Sequence, residues 1–480
     1  MLWAYNAGDA DGTIRIYKLM QKSFLDLDDY GATKKYYETV LKPLRVNLTV
    51  AELRGMAMSR KRLDEMESRL STQMDVLEER MKDIAEDDNL NVRSPAQLKR
   101  VLYEKLKFQI MYHTPTGQPA TAFDVLEKLN KEHPHEFLSS LIEYRKLHKV
   151  KSTYLNGFEN FLDDNDRVHT SFVVGGTVSG RVSSREPPLA TVPRDREYKI
   201  GNKMHLLSLR SLFIAPKNYR LIYCDYSQIE LRIAAILSGE KQMLDAFAEG
   251  KDVHDTTARG IFGKDYVSVE MIEEAQKKGE KRRIEHLEST RKQQRNDAKR
   301  INFGLLYGAA DKNLADQFNV PREVARDIFE RYYKYYPSLA NFLKGIPRLA
   351  QKHGVLVTPF GKRRVFYYPS DTRGDKKTIG ELDRQAVNFM PQSCAAEVLF
   401  RAMNRICKRL TKYNIDAWPV NIVYDSLMFE VEKRRLRTVQ QIVTEELLRP
   451  VKELDNQVFP AELGVGRSWN EAEHDVIKIA

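Results

Sequence analysis

Two aspartates in this chain stand where apolar runs end. Asp225 closes Leu221-Ile222-Tyr223-Cys224, a run that reads as a buried strand. The Gln228-to-Leu237 segment that follows carries Ile229, Ile233, Ala234 and Leu237 on one helical face. Far downstream, Asp425 sits at the polar centre of Val420–Val431, apolar on both sides, as in a hairpin of two strands. A strand that delivers one carboxylate to its end is a good mount for a metal ion. Two carboxylates converging on a pair of Mg²⁺ ions can run an in-line phosphoryl displacement, with the ions roughly 3.5–4 Å apart. Mg²⁺ suits this work because it takes few carboxylates and keeps positions for water and substrate phosphate. Taken alone, either Asp reads as a turn residue. The pairing draws its weight from what lies between.

Between them, Arg295, Lys299, Phe303 and Tyr307 recur every four residues. On a helix they form one slowly curving stripe about 18 Å long. Two cations followed by two aromatics match a nucleoside triphosphate laid lengthwise, with Arg and Lys on the phosphates and the rings at sugar and base. The competing reading is a basic amphipathic helix packing two aromatics into a core, and for a lone stripe it is the better one.

In this order, Asp225-Tyr226-Ser227-Gln228-Ile229-Glu230-Leu231-Arg232, the Arg295-to-Gly308 stretch and Val423-Tyr424-Asp425 resemble the three polymerase motifs of family A DNA polymerases, the DNA polymerase I type. The resemblance implies an α+β right-hand fold, an antiparallel palm sheet with helical thumb and fingers. It divides the chain into a remnant of an exonuclease domain (1–35), a thumb with the first palm segment at its start (36–150), palm (151–250), fingers (251–395) and palm again (396–480). It implies two Mg²⁺ ions, with Mn²⁺ able to substitute, on Asp225, Asp425 and the backbone carbonyl of Tyr226. Arg295 and Lys299 would neutralise the departing phosphates, and Lys299 would be placed to donate a proton. Phe303 and Tyr307 would shape the nascent base-pair pocket. Glu230 and Tyr307 would form a lid over the sugar 2′ position that excludes ribonucleotides. Gln228 and His254 would join the nucleotide site. Implied partners are primer–template DNA and deoxynucleoside triphosphates, acting on a monomer, with replication accessory proteins left open.

Bulk properties agree. The chain has 480 residues, 42% of them hydrophobic, which is ample for more than one domain. A net charge of +11 favours a polyanionic partner. No apolar run approaches membrane-spanning length, and Met1–Thr13 lacks the layout of a signal peptide. These features suggest the cytoplasm of a bacterial or phage-infected cell, with an organelle left open. Cys224, Cys394 and Cys407 show no zinc-ligand spacing and read as buried free thiols.

Lesser matches run along the whole chain. Tyr5 and Asp9 resemble the last proofreading-exonuclease motif of the family; a plain helix start is nearly as good a reading of so short a match. One Asp cannot assemble a two-metal nuclease, so no proofreading is expected of this chain. Thr49 and Glu52 have capping-box spacing, and Leu63 to Met81 repeats at helical spacing. Asn91-Val92-Arg93-Ser94-Pro95-Ala96-Gln97-Leu98 looks like a thumb segment of the family. Thr177-Val178-Ser179-Gly180-Arg181-Val182-Ser183-Ser184 resembles the segment whose Arg, here Arg181, reaches the duplex minor groove. Asp252-Val253-His254 resembles the start of the fingers, with His254 facing the triphosphate. Val267–Gln294 is a charged stretch that reads as a helical insertion on the fingers. Tyr332-Tyr333-Lys334-Tyr335-Tyr336 fits template stacking and helix packing equally well. Arg384, Asn388 and Gln392 match the polar stripe near the primer terminus and template. Gly464-Val465-Gly466-Arg467-Ser468-Trp469 resembles the C-terminal segment.

Two departures matter. The family pattern Pro-Asn-Leu-Gln-Asn-Ile-Pro is here Pro187-Pro188-Leu189-Ala190-Thr191-Val192-Pro193, without its amides. The family's His-Asp-Glu is here Tyr424-Asp425-Ser426, without its second carboxylate. A primer–template binding protein on a polymerase scaffold, catalytically weak through Ser426, is therefore the alternative to an active DNA polymerase. An RNA polymerase or reverse transcriptase is a more distant one.

Overall fold

The computed structural model describes residues 2–25, 30–200, 203–318, 320–369 and 376–479. Its centre is an antiparallel sheet of five strands: β1 (Tyr219–Tyr226), β2 (Ala417–Val423), β3 (Ser426–Glu432), β4 (Ala461–Gly466) and β5 (Val476–Ile479). Their order is β2-β3-β1-β4-β5. Alternate residues of β1 feed two separate cores. Leu221 and Tyr223 enter one; Ile222, Cys224 and Tyr226 enter the other. Both faces are covered, so the strand reads as an unbroken apolar run rather than an alternating one.

The helices that frame the site are α1 (Lys42–Arg54), α2 (Arg60–Ala85), α3 (Glu136–Val150), α4 (Ile229–Ser238), α5 (Val253–Phe262), α6 (Val269–Lys277), α7 (Lys281–Leu306), α8 (Arg322–Tyr335), α9 (Lys376–Lys412) and α10 (Trp469–His474). The Ser59 side chain caps α2 by accepting from Arg62 N–H, and Leu63, Met66, Leu70, Met74, Leu77 and Met81 bury one face of it against α3. The capping-box expectation at Thr49 is corrected: Thr49 and Glu52 lie inside α1, which starts at Lys42-Pro43. The backbone is already helical from Tyr30, through a wider turn at Tyr37–Leu41, so the chain has no helix start at Thr49. Glu52 instead accepts Phe172 N–H at 2.7 Å.

The fingers core gathers Leu231, Ile301, Leu305, Tyr332, Tyr336 and Val387 from α4, α7, α8, α9 and the junction after α8. The charged 267–294 stretch forms α6 and the start of α7, with a small core of Val267, Ile272, Ala275 and Leu287. α9 is one helix of 37 residues. It carries Val387 in the fingers core and Cys394 to Leu410 in the palm core, so the 395/396 boundary falls within a continuous rod. α10 lies directly on β4. A Cβ at Gly464 would sit 1.9 Å from the Ala472 carbonyl oxygen, and one at Gly466 would sit 2.4 Å from Ala472 N. This contact is the packing reason for Gly-x-Gly-x-x-Trp, and it seats Trp469 fully buried beside Phe213.

All three cysteines are buried and free. No helix among the described residues is long and apolar enough to cross a membrane. Tyr5 and Asp9 stand on the N-terminal helix Leu2–Leu25, where Tyr5 is exposed. Met1 and residues 26–29 of the expected 1–35 unit lie outside the described residues.

Candidate active site

The sheet brings the two aspartates together. Asp225, at the end of β1, is paired in register with Ser426 of β3 on one side and Glu462 of β4 on the other. Asp425 occupies the turn between β2 and β3, just after Tyr424 at φ +55°. Tyr226 N–H donates to the Asp425 carbonyl oxygen at 3.3 Å, a backbone link between the two motifs. Tyr223 Oη donates to Asp225 Oδ2 at 2.9 Å. Asp225 Oδ1 is buried with no hydrogen-bond partner. Ser426 Oγ donates to the Val423 carbonyl at 2.8 Å. Burial, and then the Asp425 charge, raise the Asp225 carboxyl above the usual range. Burial raises Asp425 as well, against the Arg181 and Arg194 charges.

A cavity of about 1080 Å³ opens over them. Of the residues expected at the site, all but Arg384 and Asn388 line it. The palm supplies Asp225, Tyr226, Gln228, Glu230 and Asp425; α7 supplies Arg295, Lys299 and Phe303, with Tyr307 just past its end. Gln228 at φ +54° turns β1 sharply into α4. Phe303 and Tyr307 face each other at 6.0 Å between ring centroids. Gln392 reaches the cavity from α9. Arg384, two turns earlier, packs over Gly308 instead, and Asn388 keeps a buried Oδ1 without a partner.

Local contacts set the charge of several groups. Arg295 donates to Asp252 Oδ2 from Nε at 2.7 Å, with Nη2 at 2.6 Å. Asp252 Oδ1 caps α5 by accepting from the His254 and Asp255 N–H groups. Burial opposes ionisation of Asp252, yet Arg295 and these N–H donors outweigh it and hold the carboxyl below its usual range. His254 is 1% exposed, and burial pushes it down to about 4. Asn302 Nδ2 donates to His254 Nδ1 at 3.0 Å, which leaves the ring proton on Nε2. His254 is therefore a neutral donor in the cavity wall at pH 7.

That burial has a pH signature. The folded-state value lies below the ordinary one of 6.5, so folding releases the proton. The contribution of His254 to stability is full above pH 6.5 and falls as pH drops toward 4, by roughly 3 kcal/mol over the window. In His254→Gln that acid-side loss shrinks, as denaturation midpoints recorded between these pH values will show.

Arg181 forms an ion pair with Glu230, which is 4% exposed, and its guanidinium lies 5.2 Å from the Tyr424 ring centroid. The residue expected to reach toward duplex is thus committed to the expected sugar-lid glutamate, and Tyr424 covers the pair. Of the equal readings of the tyrosine run, packing holds for Tyr332 and Tyr336. Both are buried, Tyr332 Oη donates to Asn302 Oδ1 at 3.1 Å, and Tyr336 Oη lies 3.0 Å from Thr257 Oγ1.

Sequence reasoning missed three residues at the site. Arg194 places Nη2 3.8 Å from Asp225 Oδ2 while its Nε holds Glu473 at 2.8 Å. Glu462 and Lys478 line the cavity from β4 and β5. Arg194 follows Pro193, just after the stretch that departs from pattern, and nothing local marks it. Glu462 is legible only as an alternating strand residue two before Gly464.

The model of DNA polymerase family A matches residues 60–471. DNA polymerase I of Pseudomonas aeruginosa is 32% identical over 470 residues, covering 98% of this chain and 47% of that protein. DNA polymerase I of Geobacillus stearothermophilus is 32% identical over 412 residues, covering 85% of this chain and 43% of that protein. The chain spans about half the length of the curated relatives it matches. Among solved structures, the POL domain of Pol1 from M. smegmatis, in complex with DNA primer-template and dNTP, superposes with a TM-score of 0.76 at 26% identity. It covers 92% of this chain and 72% of that one.

Proposed function

This chain belongs to DNA polymerase family A, and on that footing we propose that it is a template-directed DNA polymerase, adding deoxynucleotides to a primer 3′-hydroxyl. The observation that carries the reading is the pair Asp225 and Asp425, brought to the floor of one cavity with Arg295 and Lys299 on its wall. The primer oxygen attacks the α-phosphorus, the bond to the bridging oxygen breaks, and pyrophosphate leaves with that electron pair. Arg295 and Lys299 stabilise the charge that accumulates there, and Lys299 is placed to supply a proton. Phe303 and Tyr307 shape the base-pair pocket. Glu230, held by Arg181, closes with Tyr307 over the sugar 2′ position.

Two divalent cations fit the carboxylates. Asp225 Oδ1 is a buried acceptor without a donor, and burial raises both carboxyls, Asp225 further through the Asp425 charge. Among the described residues no group of three or more His, Cys, Asp or Glu stands together as a metal site, and Asp225 with Asp425 makes a smaller one. Such an open site suits Mg²⁺, or Mn²⁺ in its place, which keeps positions for water and phosphate. Asp225, Asp425 and the Tyr226 carbonyl would hold the ions. When bound, they would sharpen the attacking oxygen and neutralise the leaving phosphates.

Proofreading is outside this reading. Extension of a labelled primer on a DNA template, with deoxynucleotides and ribonucleotides in parallel, is the test. Extension with deoxynucleotides only is the expected result. Tight primer–template binding without extension would favour the binding scaffold, the reading that Ser426 motivates. Ser426→Glu is expected to keep extension, and to make thermal stability depend on Mg²⁺, because it sets a third carboxylate beside Asp225. Total loss of extension in a folded Ser426→Glu protein would show that the site is built differently.

A further inference from the structure

The register of the sheet lays a row of four residues directly opposite one another: Ser426, Asp225, Glu462 and Lys478. Directly paired residues share a face, so all four project to the same side. The last of them stands on β5, beyond residue 471, where the family match ends. β5 thus adds an edge strand and a lysine to the cavity floor.

The other cations lining the cavity are largely committed. Arg181, Arg194, Lys251 and Arg295 are held by Glu230, Glu473, Glu249 and Asp252. Arg232 lies over the Phe247 ring, 4.2 Å from its centroid. Among the described residues, only Lys299 and Lys478 line the cavity as cations without a carboxylate within 4.0 Å or a ring partner. Lys478 is exposed and faces Glu462 across the strands without closing an ion pair. Two uncommitted ammonium groups on one cavity, one on the α7 wall and one on the sheet floor, suit a polyanion that bridges them.

We infer that Lys478 is a second phosphate-binding lysine of this site. It takes the terminal phosphates of the incoming nucleotide before transfer and pyrophosphate after it, in concert with Lys299. The inference rests on the polymerase reading. Its test is equilibrium binding of inorganic tripolyphosphate with Mg²⁺ to the full chain, which needs no turnover, alongside the KM for deoxynucleotide in primer extension.

Lys478→Met is expected to weaken tripolyphosphate binding and raise KM about tenfold, the effect of one hydrogen bond to a charged group, with kcat changed less. Lys478→Arg restores both. Glu462→Gln removes a nearby negative charge and leaves tripolyphosphate binding equal or tighter. Binding unmoved in Lys478→Met but lost in Lys299→Met would overturn the role of Lys478 and leave the polymerase reading standing. The lysine would then only guard the sheet edge against strand pairing. If Glu462→Gln instead cancels the effect of Lys478→Met, Lys478 serves Glu462 and not the ligand, which also overturns it. Binding unmoved in both lysine variants, with no extension by the parent chain, would bring down the polymerase reading itself.

Discussion

Asp225→Asn and Asp425→Asn each lower primer extension by about three orders of magnitude or more, while primer–template affinity stays within a few-fold. The size follows from the work asked of the carboxylates. Charge stabilisation by a bound divalent cation is worth several kcal/mol, and each 1.36 kcal/mol is tenfold in rate. DNA affinity is expected to be spared, because duplex binding in general draws on many phosphate contacts rather than on one carboxylate. A second readout accompanies the first: both variants melt at a higher temperature than the parent in the absence of divalent cation. Their carboxyls are raised in the folded state, so above the ordinary carboxylate range folding must either take up a proton or hold a charge it disfavours. An amide removes that penalty. Gain of stability together with loss of turnover marks a site strained for function. Single-turnover extension and thermal melting of the same preparations check both halves. Unchanged extension in either variant would remove that carboxylate from the chemistry.

Arg181→Ala is the second large effect, and it is a stability effect before it is a catalytic one. Glu230 is nearly inaccessible and Arg181 is its ion-pair partner. Removing the cation strands a buried carboxylate, at a cost of about 3 kcal/mol. That is the lower end for such pairs, because the cavity above is open to water. Arg181→Ala combined with Glu230→Ala recovers most of the loss, since no unpaired charge remains. Denaturant unfolding of the single and double variants measures the coupling, and hydrogen exchange over the Thr177–Ser184 loop and α4 reports where the structure opens. Arg181→Ala as stable as the parent would mean that the pair contributes nothing. Ribonucleotide discrimination should also weaken in Arg181→Ala, because Glu230 loses the contact that orients it.

Much of the site was legible from residue order because its mounts are local. Asp225 stands at the end of an apolar run, and a run of that length between two cores can only be a strand. Arg295, Lys299 and Phe303 repeat at a helical period that aligns them along α7, with Tyr307 just past its end. Gly464 and Gly466 precede a tryptophan at fixed spacing, and their lack of side chains is what α10 needs to seat it. Thr49 and Glu52 show the limit of such local signals: the spacing was that of a cap, but the chain is already helical from Tyr30.

Tertiary structure decided which charges meet. Arg181 and Glu230 lie on separate segments, and only folding committed one to the other, away from a freely reaching role. His254 carries no sign in its neighbours that it will be neutral; the Asn302 amide and burial under the fingers decide that. Arg194 near Asp225, and Lys478 in line with it, follow from strand order and register, which join residues far apart in the chain. Sequence alone determined the kinds of group this protein carries and the faces they occupy, because helix and strand periods are set by the backbone. Their protonation and pairing waited on the fold, because burial and distance between charges exist only once distant segments are packed together.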